Sequence, residues 1–116
     1  MTAGTNEKGA VKEKAEKAEL MKILAEELPV LRVKLKATQV SLGTAVGLSR
    51  PTYTKAEYNK IMTWSTFVSL FMYFETQEIS KQHLRALGDF TERTRKLLEY
   101  KKTNIVKINS REVDDK

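Results

Sequence analysis

The feature that most constrains the fold is a closely spaced series of helix-start and helix-stop signals between Thr38 and Pro51. Thr38 is a favourable N-cap residue, and Gly47 can adopt the left-handed conformation that ends a helix. Ser49 is a second N-cap, and Pro51 falls in the first turn after it, where its missing N–H costs nothing. The buried side of the first helix is predicted to contain Leu42, Ala45 and Val46. The pattern therefore predicts two short helices joined by a tight turn.

The composition favours helices for the rest of the chain as well. The 116 residues include five Gly and two Pro, which is too few for the frequent turns of a strand-rich architecture. A chain of this length has room for one modest core. We therefore predict an all-α protein of five or six helices, in which the two short helices are the second and third.

Changes in composition divide the chain into four segments. Residues 1–19 are rich in Lys, Glu and Ala and predict a charged N-terminal arm that is helical but frayed. Residues 20–78 are predicted to form the main domain, in which Pro29 opens a new helix because proline disrupts a helix interior. Residues 79–101 predict a C-terminal helical segment for packing or dimerisation, with Thr91 as a helix cap. Residues 102–116 predict a disordered tail.

The fourth predicted helix follows Thr63 and is strongly apolar. Its aromatic residues are Trp64, Phe67, Phe71 and Phe74. They resemble an aromatic ligand box, but aromatic residues at helical spacing are more typical of a core or a dimer interface. Both of these structural readings remain open on the sequence alone.

The residues that catalysis or metal binding would need are scarce. The chain has no cysteine and one histidine, His83, which excludes thiolate metal sites and histidine clusters. We find no acid–base pair, no nucleophile beside a base and no phosphate-binding glycine loop. The sequence therefore predicts a protein that is not an enzyme and that needs no cofactor or metal.

The charge balance indicates an anionic partner. The formal net charge is +6 and the isoelectric point is about 9.6, which suits DNA, RNA or an acidic membrane surface. Excess lysine that only keeps the protein in solution explains the charge equally well. The most apolar stretch, residues 61–74, is shorter than the ~20 residues of a membrane span. We expect a cytoplasmic protein that does not enter a membrane.

The second of the two short helices has two different faces on a helical wheel. Tyr53 and Ala56 point toward a core. The opposite side carries Arg50, Pro51, Thr54 and Lys55. An exposed helix that presents Arg, Thr and Lys is what reading the edges of bases in the major groove requires.

The segment from Thr38 to Glu57 resembles the helix-turn-helix of the phage-repressor (Cro-type, XRE) regulators. The matching positions, in the family's order and spacing, are Thr38, Gln39, Leu42, Val46, Gly47, Leu48, Ser49, Arg50, Thr52, Tyr53, Thr54 and Glu57. Residues 28–32 and 62–67 resemble the family's first helix and the start of its fourth. The resemblance implies a transcriptional regulator of bacterial or phage origin that binds double-stranded DNA.

The resemblance also implies a role at each matching position. Gln39 would contact a phosphate or a base edge, and Ser49 and Thr52 would lie near phosphate at the start of the recognition helix. The residues that would face the bases are Arg50, Pro51, Thr54 and Lys55. Lys60, in the loop that follows, would contact the DNA backbone.

Two further positions match a structural feature of the family, and three positions depart from its pattern. Arg32 and Glu57 match residues that form a partly buried ion pair in some members. Gly43 stands where the family usually has alanine, and Lys36 replaces the glycine that commonly ends the first helix. Ala56 replaces a larger aliphatic residue. None of these departures removes a group that faces DNA.

The resemblance implies a homodimer on a palindromic operator, with half-sites about one helical turn (~34 Å) apart. Repression by promoter occlusion is the expected outcome, although the sequence does not exclude activation or identify an effector. The dimer surface is expected to come from the fourth helix and the C-terminal segment. The C-terminal positions at suitable spacing are Leu84, Leu87, Thr91, Thr94 and Leu98.

Two other classes of function remain open. The first is an interaction module, similar to an antitoxin, that binds a protein partner and binds DNA weakly. The second is a basic peripheral membrane protein anchored by its N-terminal arm. The near absence of apolar residues before Leu20 counts against the second alternative.

Overall fold

The computed structural model describes residues 2–99, with side chains at residue 9 and from residue 11 onward. The described chain is all-helical and contains no strand, which confirms the predicted fold class. Its elements are α1 (Thr2–Lys34), α2 (Gln39–Val46), α3 (Arg50–Thr54), a π-helical turn (Lys55–Asn59) that continues α3, α4 (Trp64–Thr76), α5 (Glu78–Arg85) and α6 (residues 90–99). The predicted tail, residues 102–116, lies outside the described residues.

Helix α1 continues through Pro29, so the prediction that Pro29 opens a new helix is wrong. Proline removes the N–H that would bond to the carbonyl four residues earlier, which is that of Ala25. The Ala25 carbonyl instead accepts a hydrogen bond from Lys60 Nζ at 3.3 Å, and the same ammonium group donates to the Glu57 carbonyl at 2.8 Å. Lys60 therefore supplies the donor that Pro29 lacks.

The N-terminal residues predicted to form a separate arm belong to α1. Glu13 and Lys17 form an ion pair one helical turn apart, with a distance of 3.5 Å between Lys17 Nζ and Glu13 Oε1. Lys17 Nζ also lies 5.1 Å from the centre of the Trp64 ring, a cation–π contact that joins α1 to the start of α4. The division into compact units that the structure shows falls between His83 and Leu84, whereas the sequence placed boundaries after residues 19 and 78.

The core of the first unit combines apolar residues from α1, from α3 with its π-helical turn, and from α4. The α1 stripe consists of Leu20, Leu24, Leu28 and Leu31, all fully buried at helical spacing. In α4, the Trp64 ring stacks on Phe67 with centroids 4.7 Å apart, and Phe67 stacks on Phe71 at 6.2 Å. Phe67, Phe71 and Phe74 are buried, which confirms the core interpretation and removes them from any dimer surface.

The described part of the second unit is a turn followed by α6. Gly88 adopts φ 64 in this turn, a left-handed conformation that glycine tolerates without strain. The prediction that Thr91 caps the last helix is wrong, because α6 already begins at residue 90. The Arg93 N–H donates to the Asp89 carbonyl at 2.9 Å, and the two side chains form an ion pair at 3.7 Å. Among the described residues, no helix has both the length and the apolar character needed to cross a membrane.

The Pro29–Lys60 contact generates a stability prediction. We expect Lys60→Met to lower the free energy of unfolding by about 1–3 kcal/mol, because it leaves a partly buried carbonyl without a donor. In a Pro29→Ala background the helix recovers its own N–H donor to the Ala25 carbonyl. Lys60→Met should then lower the free energy of unfolding by about 0.5–1.5 kcal/mol less than it does in the wild type. Urea unfolding of the four proteins of this double-mutant cycle measures the difference. Equal costs in the two backgrounds would contradict the proposed compensation.

Candidate nucleic-acid interface

Helix α2 begins and ends at the residues that the sequence predicts. The Thr38 hydroxyl accepts a hydrogen bond from the Ser41 N–H at 3.0 Å, and the Ser41 hydroxyl accepts one from the Thr38 N–H at 2.9 Å, which is a reciprocal capping box. Gly47 adopts φ 85, and the Leu48 N–H donates to the Gly43 carbonyl at 2.8 Å. These bonds close the tight turn between α2 and α3.

The side of α2 that faces the core differs from the prediction. Leu42 and Gly43 are the buried residues, whereas Ala45 is exposed and Val46 is half-buried. Gly43 lies against α3, since a Cβ atom built on it would lie 3.6 Å from the Cβ of Tyr53. That separation is ordinary van der Waals contact, so the family's alanine would fit at this position.

The other two departures from the family pattern differ in their consequences. Lys36 follows the end of α1 with φ 55, a left-handed conformation that favours glycine, the residue that the resemblance leads one to expect here. Its N–H donates to the Val33 carbonyl at 3.0 Å, and the next N–H, that of Ala37, donates to the Arg32 carbonyl at 2.9 Å. Lys36 therefore adopts a left-handed conformation with backbone strain. Ala56 is fully buried despite its small size.

Helix α3 begins at Arg50 with Ser49 as its N-cap, as predicted. The Ser49 hydroxyl accepts a hydrogen bond from the Thr52 N–H at 3.3 Å and donates to the Thr52 hydroxyl at 2.8 Å. Pro51 occupies the first turn, where no intrahelical donor is needed. Lys60 ends the π-helical turn with φ 60, so α3 and the turn together present one continuous helical surface from residue 50 to residue 59.

The inner side of this surface is fixed by Glu57, which is 3% exposed. Arg32 donates to it through two nitrogens, Nε to Oε1 and Nη2 to Oε2, each at 3.0 Å. The Tyr53 hydroxyl donates to Oε1 at 2.7 Å, and Gln39 Nε2 donates to Oε2 at 2.8 Å. The Arg32–Glu57 ion pair implied by the family resemblance is therefore present, and it forms part of a four-residue group that we call the Glu57 network (Arg32, Gln39, Tyr53 and Glu57).

Ionisation in the Glu57 network follows from this geometry. Burial alone would raise the pKa of Glu57, but the hydrogen bonds from Arg32, Tyr53 and Gln39 outweigh it and hold the pKa below its ordinary value of 4.5. Burial, together with the hydrogen bond to Glu57, raises the pKa of the Tyr53 hydroxyl. The hydrogen bond to Glu57 also raises the pKa of Arg32. Near neutral pH the network is therefore a carboxylate held by one guanidinium and two neutral donors.

The outer side of the same surface carries the predicted base-facing residues. Arg50, Pro51 and Lys55 are exposed and Thr54 is half-buried, while Tyr53 and Ala56 point into the core. Within the described chain, neither Arg50 nor Lys55 forms an ion pair or a side-chain hydrogen bond. Their cationic groups therefore face solvent from a helix whose inner side is fixed.

The structure gives two of the predicted DNA contacts an internal role. The Gln39 side-chain amide donates to Glu57, and the Lys60 ammonium group donates to two backbone carbonyls. Ser49 and Thr52 bond to each other at the start of α3. The predicted residues thus divide into an outward-facing set, Arg50, Pro51, Lys55 and the half-buried Thr54, and a set that holds the helices in place.

Positive charge is concentrated in this part of the chain. Residues 32–60 contain six basic residues and one acidic residue, which makes +5 of the chain's formal net charge of +6. The one acidic residue is Glu57, whose charge is buried against Arg32. The exposed charge that residues 32–60 present to solvent is therefore entirely positive.

A second polar cluster, which the sequence did not predict, contains the single histidine. His83 Nε2 lies 2.6 Å from Glu27 Oε1, and His83 Nδ1 lies 2.7 Å from Lys34 Nζ. This arrangement suits a neutral imidazole whose Nε2–H donates to Glu27 and whose Nδ1 accepts from Lys34. The cluster joins α5 to α1, and no local sequence signal indicates it because its members lie far apart in the chain.

No group of three potential metal ligands occurs among the residues that the structure describes. Searches against protein-family models, characterised proteins and solved structures find no match to this chain. The geometry and charge of residues 32–60 are therefore the basis for assigning a function.

The low pKa of Glu57 generates a pH prediction. Because the folded-state pKa is depressed, the stabilisation by this carboxylate is complete above about pH 4.5 and is lost as the pH falls through the folded-state pKa. We expect Glu57→Gln to lower the free energy of unfolding by about 3 kcal/mol near neutral pH, because it leaves the Arg32 charge unpaired. The deficit relative to the wild type should shrink as the pH falls below about 4.5.

Urea unfolding of both proteins between about pH 7 and pH 3 measures this difference. Glu26→Gln is the matched control, because Glu26 is exposed on α1. A deficit that stays constant with pH, or an equal deficit in Glu26→Gln, would contradict the assigned role of Glu57.

Proposed function

We propose that this protein binds double-stranded DNA, with α3 and the following π-helical turn in the major groove. The observation that carries the proposal is the pair of exposed cationic side chains, Arg50 and Lys55, which have no partner among the described residues and lie on a helix held from behind by the Glu57 network. The major groove is ~12 Å wide and admits one such helix. An arginine can bond bidentately to guanine, and a lysine can bond to the same base edge.

The charge distribution supports the same proposal. DNA binding draws much of its free energy from cationic side chains that displace counterions from phosphates. The proposed groove-reading helix lies within residues 32–60, which have a net charge of +5. Because Glu57 is buried, the one negative charge of this segment does not face solvent. A helix that only served packing would not need an exposed face with a single sign of charge.

The proposal extends to regulation. We propose a non-enzymatic transcriptional regulator, with repression by promoter occlusion as the main mode. A homodimer on an inverted repeat, with half-sites ~34 Å apart, would present two such helices to successive major grooves. Because Phe67, Phe71 and Phe74 of α4 are buried, we propose that other residues form the dimer contact.

A second candidate function is a protein-interaction module. Tyr58 and Ile61, three residues apart at the end of the π-helical turn, are 65% and 63% exposed, and exposed apolar side chains of this kind can contribute to a partner surface. A protein partner would then occupy this end of the domain. If a double variant of Arg50 and Lys55 loses DNA binding but keeps its cellular activity, this second candidate is favoured.

The DNA-binding proposal is tested with purified variants and a duplex of mixed sequence. We expect the double variant Arg50→Ala/Lys55→Ala to bind the duplex at least about tenfold more weakly, a loss of about 1.4 kcal/mol. The slope of log K against log salt should fall by up to about 0.9 for each phosphate that the variant no longer neutralises. Fluorescence anisotropy across a salt series measures both quantities.

The matched control is a double variant that removes two lysines from an exposed part of α1, Lys14→Ala/Lys22→Ala. It changes the net charge by the same amount and should leave the affinity and the salt slope nearly unchanged. Equal weakening in both double variants would show that binding follows overall charge, and the proposed interface would then be wrong.

A further inference from the structure

Glu27, His83 and Lys34 form a hydrogen-bonded series, which we call the His83 cluster. His83 Nε2 lies 2.6 Å from Glu27 Oε1, and His83 Nδ1 lies 2.7 Å from Lys34 Nζ. Glu27 and Lys34 belong to α1, and His83 belongs to α5. The series therefore runs from a carboxylate through an imidazole to a primary amine, and it shares no residue with the Glu57 network.

Glu27 determines which ring nitrogen of His83 can act as a base. The short contact with the carboxylate suits an Nε2–H that donates to Glu27, and this tautomer has its free lone pair on Nδ1. The His83 side chain is 13% exposed and the Glu27 side chain is 27% exposed, so the ring has little freedom to turn away. The lone pair on Nδ1 is therefore held toward Lys34 Nζ.

Lys34 is the nucleophilic end of the cluster. It is exposed on the last turn of α1, so a molecule in solution can reach Nζ without entering a cavity. Among the described lysines, only Lys34 has a nitrogen base within hydrogen-bond distance of its amine. A nucleophile beside a base that a third group orients is the arrangement that activates nucleophiles for acyl transfer.

The effect of such a base depends on the acyl donor. When an amine adds to the carbonyl of a thioester, the intermediate tends to revert, because its positively charged nitrogen leaves more readily than an alkyl thiolate. A base that removes a proton from this nitrogen prevents the reversal and directs the intermediate to the amide. An active ester gains little from the base, because its leaving group departs at once.

We propose that the His83 cluster makes Lys34 a site of acylation by thioesters of carboxylic acids. The uncharged amine of Lys34 attacks the carbonyl carbon and forms the C–N bond, and His83 Nδ1 takes a proton from the nitrogen. Glu27 stabilises the imidazolium that results. The C–S bond then breaks, the thiolate leaves with the electron pair, and the proton passes from His83 through solvent to the thiolate.

The reaction modifies each protein molecule once and is not a turnover reaction. In the product, the amide N–H of the acylated Lys34 can still donate to His83 Nδ1, so the contact between α1 and α5 is kept. Acylation removes one positive charge, which lowers the net charge of residues 32–60 from +5 to +4. The modification itself does not depend on DNA binding.

The test compares two acetyl donors on the full-length protein, acetyl-coenzyme A as the thioester and N-hydroxysuccinimide acetate as the active ester. Peptide mass spectrometry measures the initial acetylation rates of Lys34 and of Lys22, an exposed lysine on the same helix. We expect the ratio of the Lys34 rate to the Lys22 rate to be at least about tenfold higher with the thioester than with the active ester. Equal ratios with the two donors would overturn the proposal.

Two variants assign the effect to the cluster. His83→Gln can still accept a hydrogen bond from Lys34 but cannot take up a proton, so the preference for the thioester should disappear while the active-ester ratio stays the same. Glu27→Gln should reduce the preference, whereas Glu26→Gln, an exposed change on the same helix, should leave it unchanged. A thioester preference that survives His83→Gln would show that His83 is not the base. The comparison of donors in the wild type stands without either variant.

A further variant separates this inference from the DNA-binding proposal. Arg50→Ala/Lys55→Ala should keep the full thioester preference at Lys34 even where it no longer binds DNA. Loss of the preference in that variant would show that the reactivity follows the positive charge of residues 32–60, and the assignment to the His83 cluster would then be wrong.

Discussion

The arrangement of the helices around residues 32–60 depends on one buried carboxylate. Glu57 accepts hydrogen bonds from α1 through Arg32, from α2 through Gln39 and from α3 through Tyr53. A buried charge without partners would cost several kcal/mol, and these donors together offset the cost of burying the carboxylate. Because the donors come from three different helices, satisfying one carboxylate fixes the position of α1 and α2 relative to the helix that carries Arg50 and Lys55.

A second constraint holds the end of the same helix. Pro29 leaves the Ala25 carbonyl without its helical donor, and Lys60 supplies one while also bonding to the Glu57 carbonyl. Lys60 adopts a left-handed conformation to do so, which costs about 1–3 kcal/mol for a residue other than glycine. The proline inside α1 and the strained lysine after the π-helical turn therefore compensate each other, because Lys60 supplies the hydrogen-bond donor that Pro29 lacks.

The sequence predicted those parts of the structure that depend on neighbouring residues. The caps at Thr38 and Ser49 and the stop at Gly47 are local hydrogen-bond and backbone effects, and all three occur where expected. The family resemblance implied the Arg32–Glu57 pair, which the structure contains. The contacts that the sequence did not indicate involve partners distant in the chain, which no local pattern encodes: Lys60 with the Ala25 carbonyl, Gln39 with Glu57, and His83 with Glu27 and Lys34. The outward-facing positions of Arg50, Pro51 and Lys55, with Thr54 half-buried, agree with the helical wheel, because the buried position of Tyr53 determines which side faces out.

The central claim is that the exposed face of α3 reads bases and does not only attract phosphates. Selection of randomised duplex DNA on the purified protein, followed by affinity measurements against salt for the enriched sequences, tests it most directly. We expect enrichment of an inverted repeat that the protein binds about 10³-fold or more tightly than mixed-sequence DNA. The affinity should also fall steeply as the salt concentration rises. Salt-dependent binding without any enriched sequence would contradict the claim, and would leave a basic helical protein whose specific partner is not DNA.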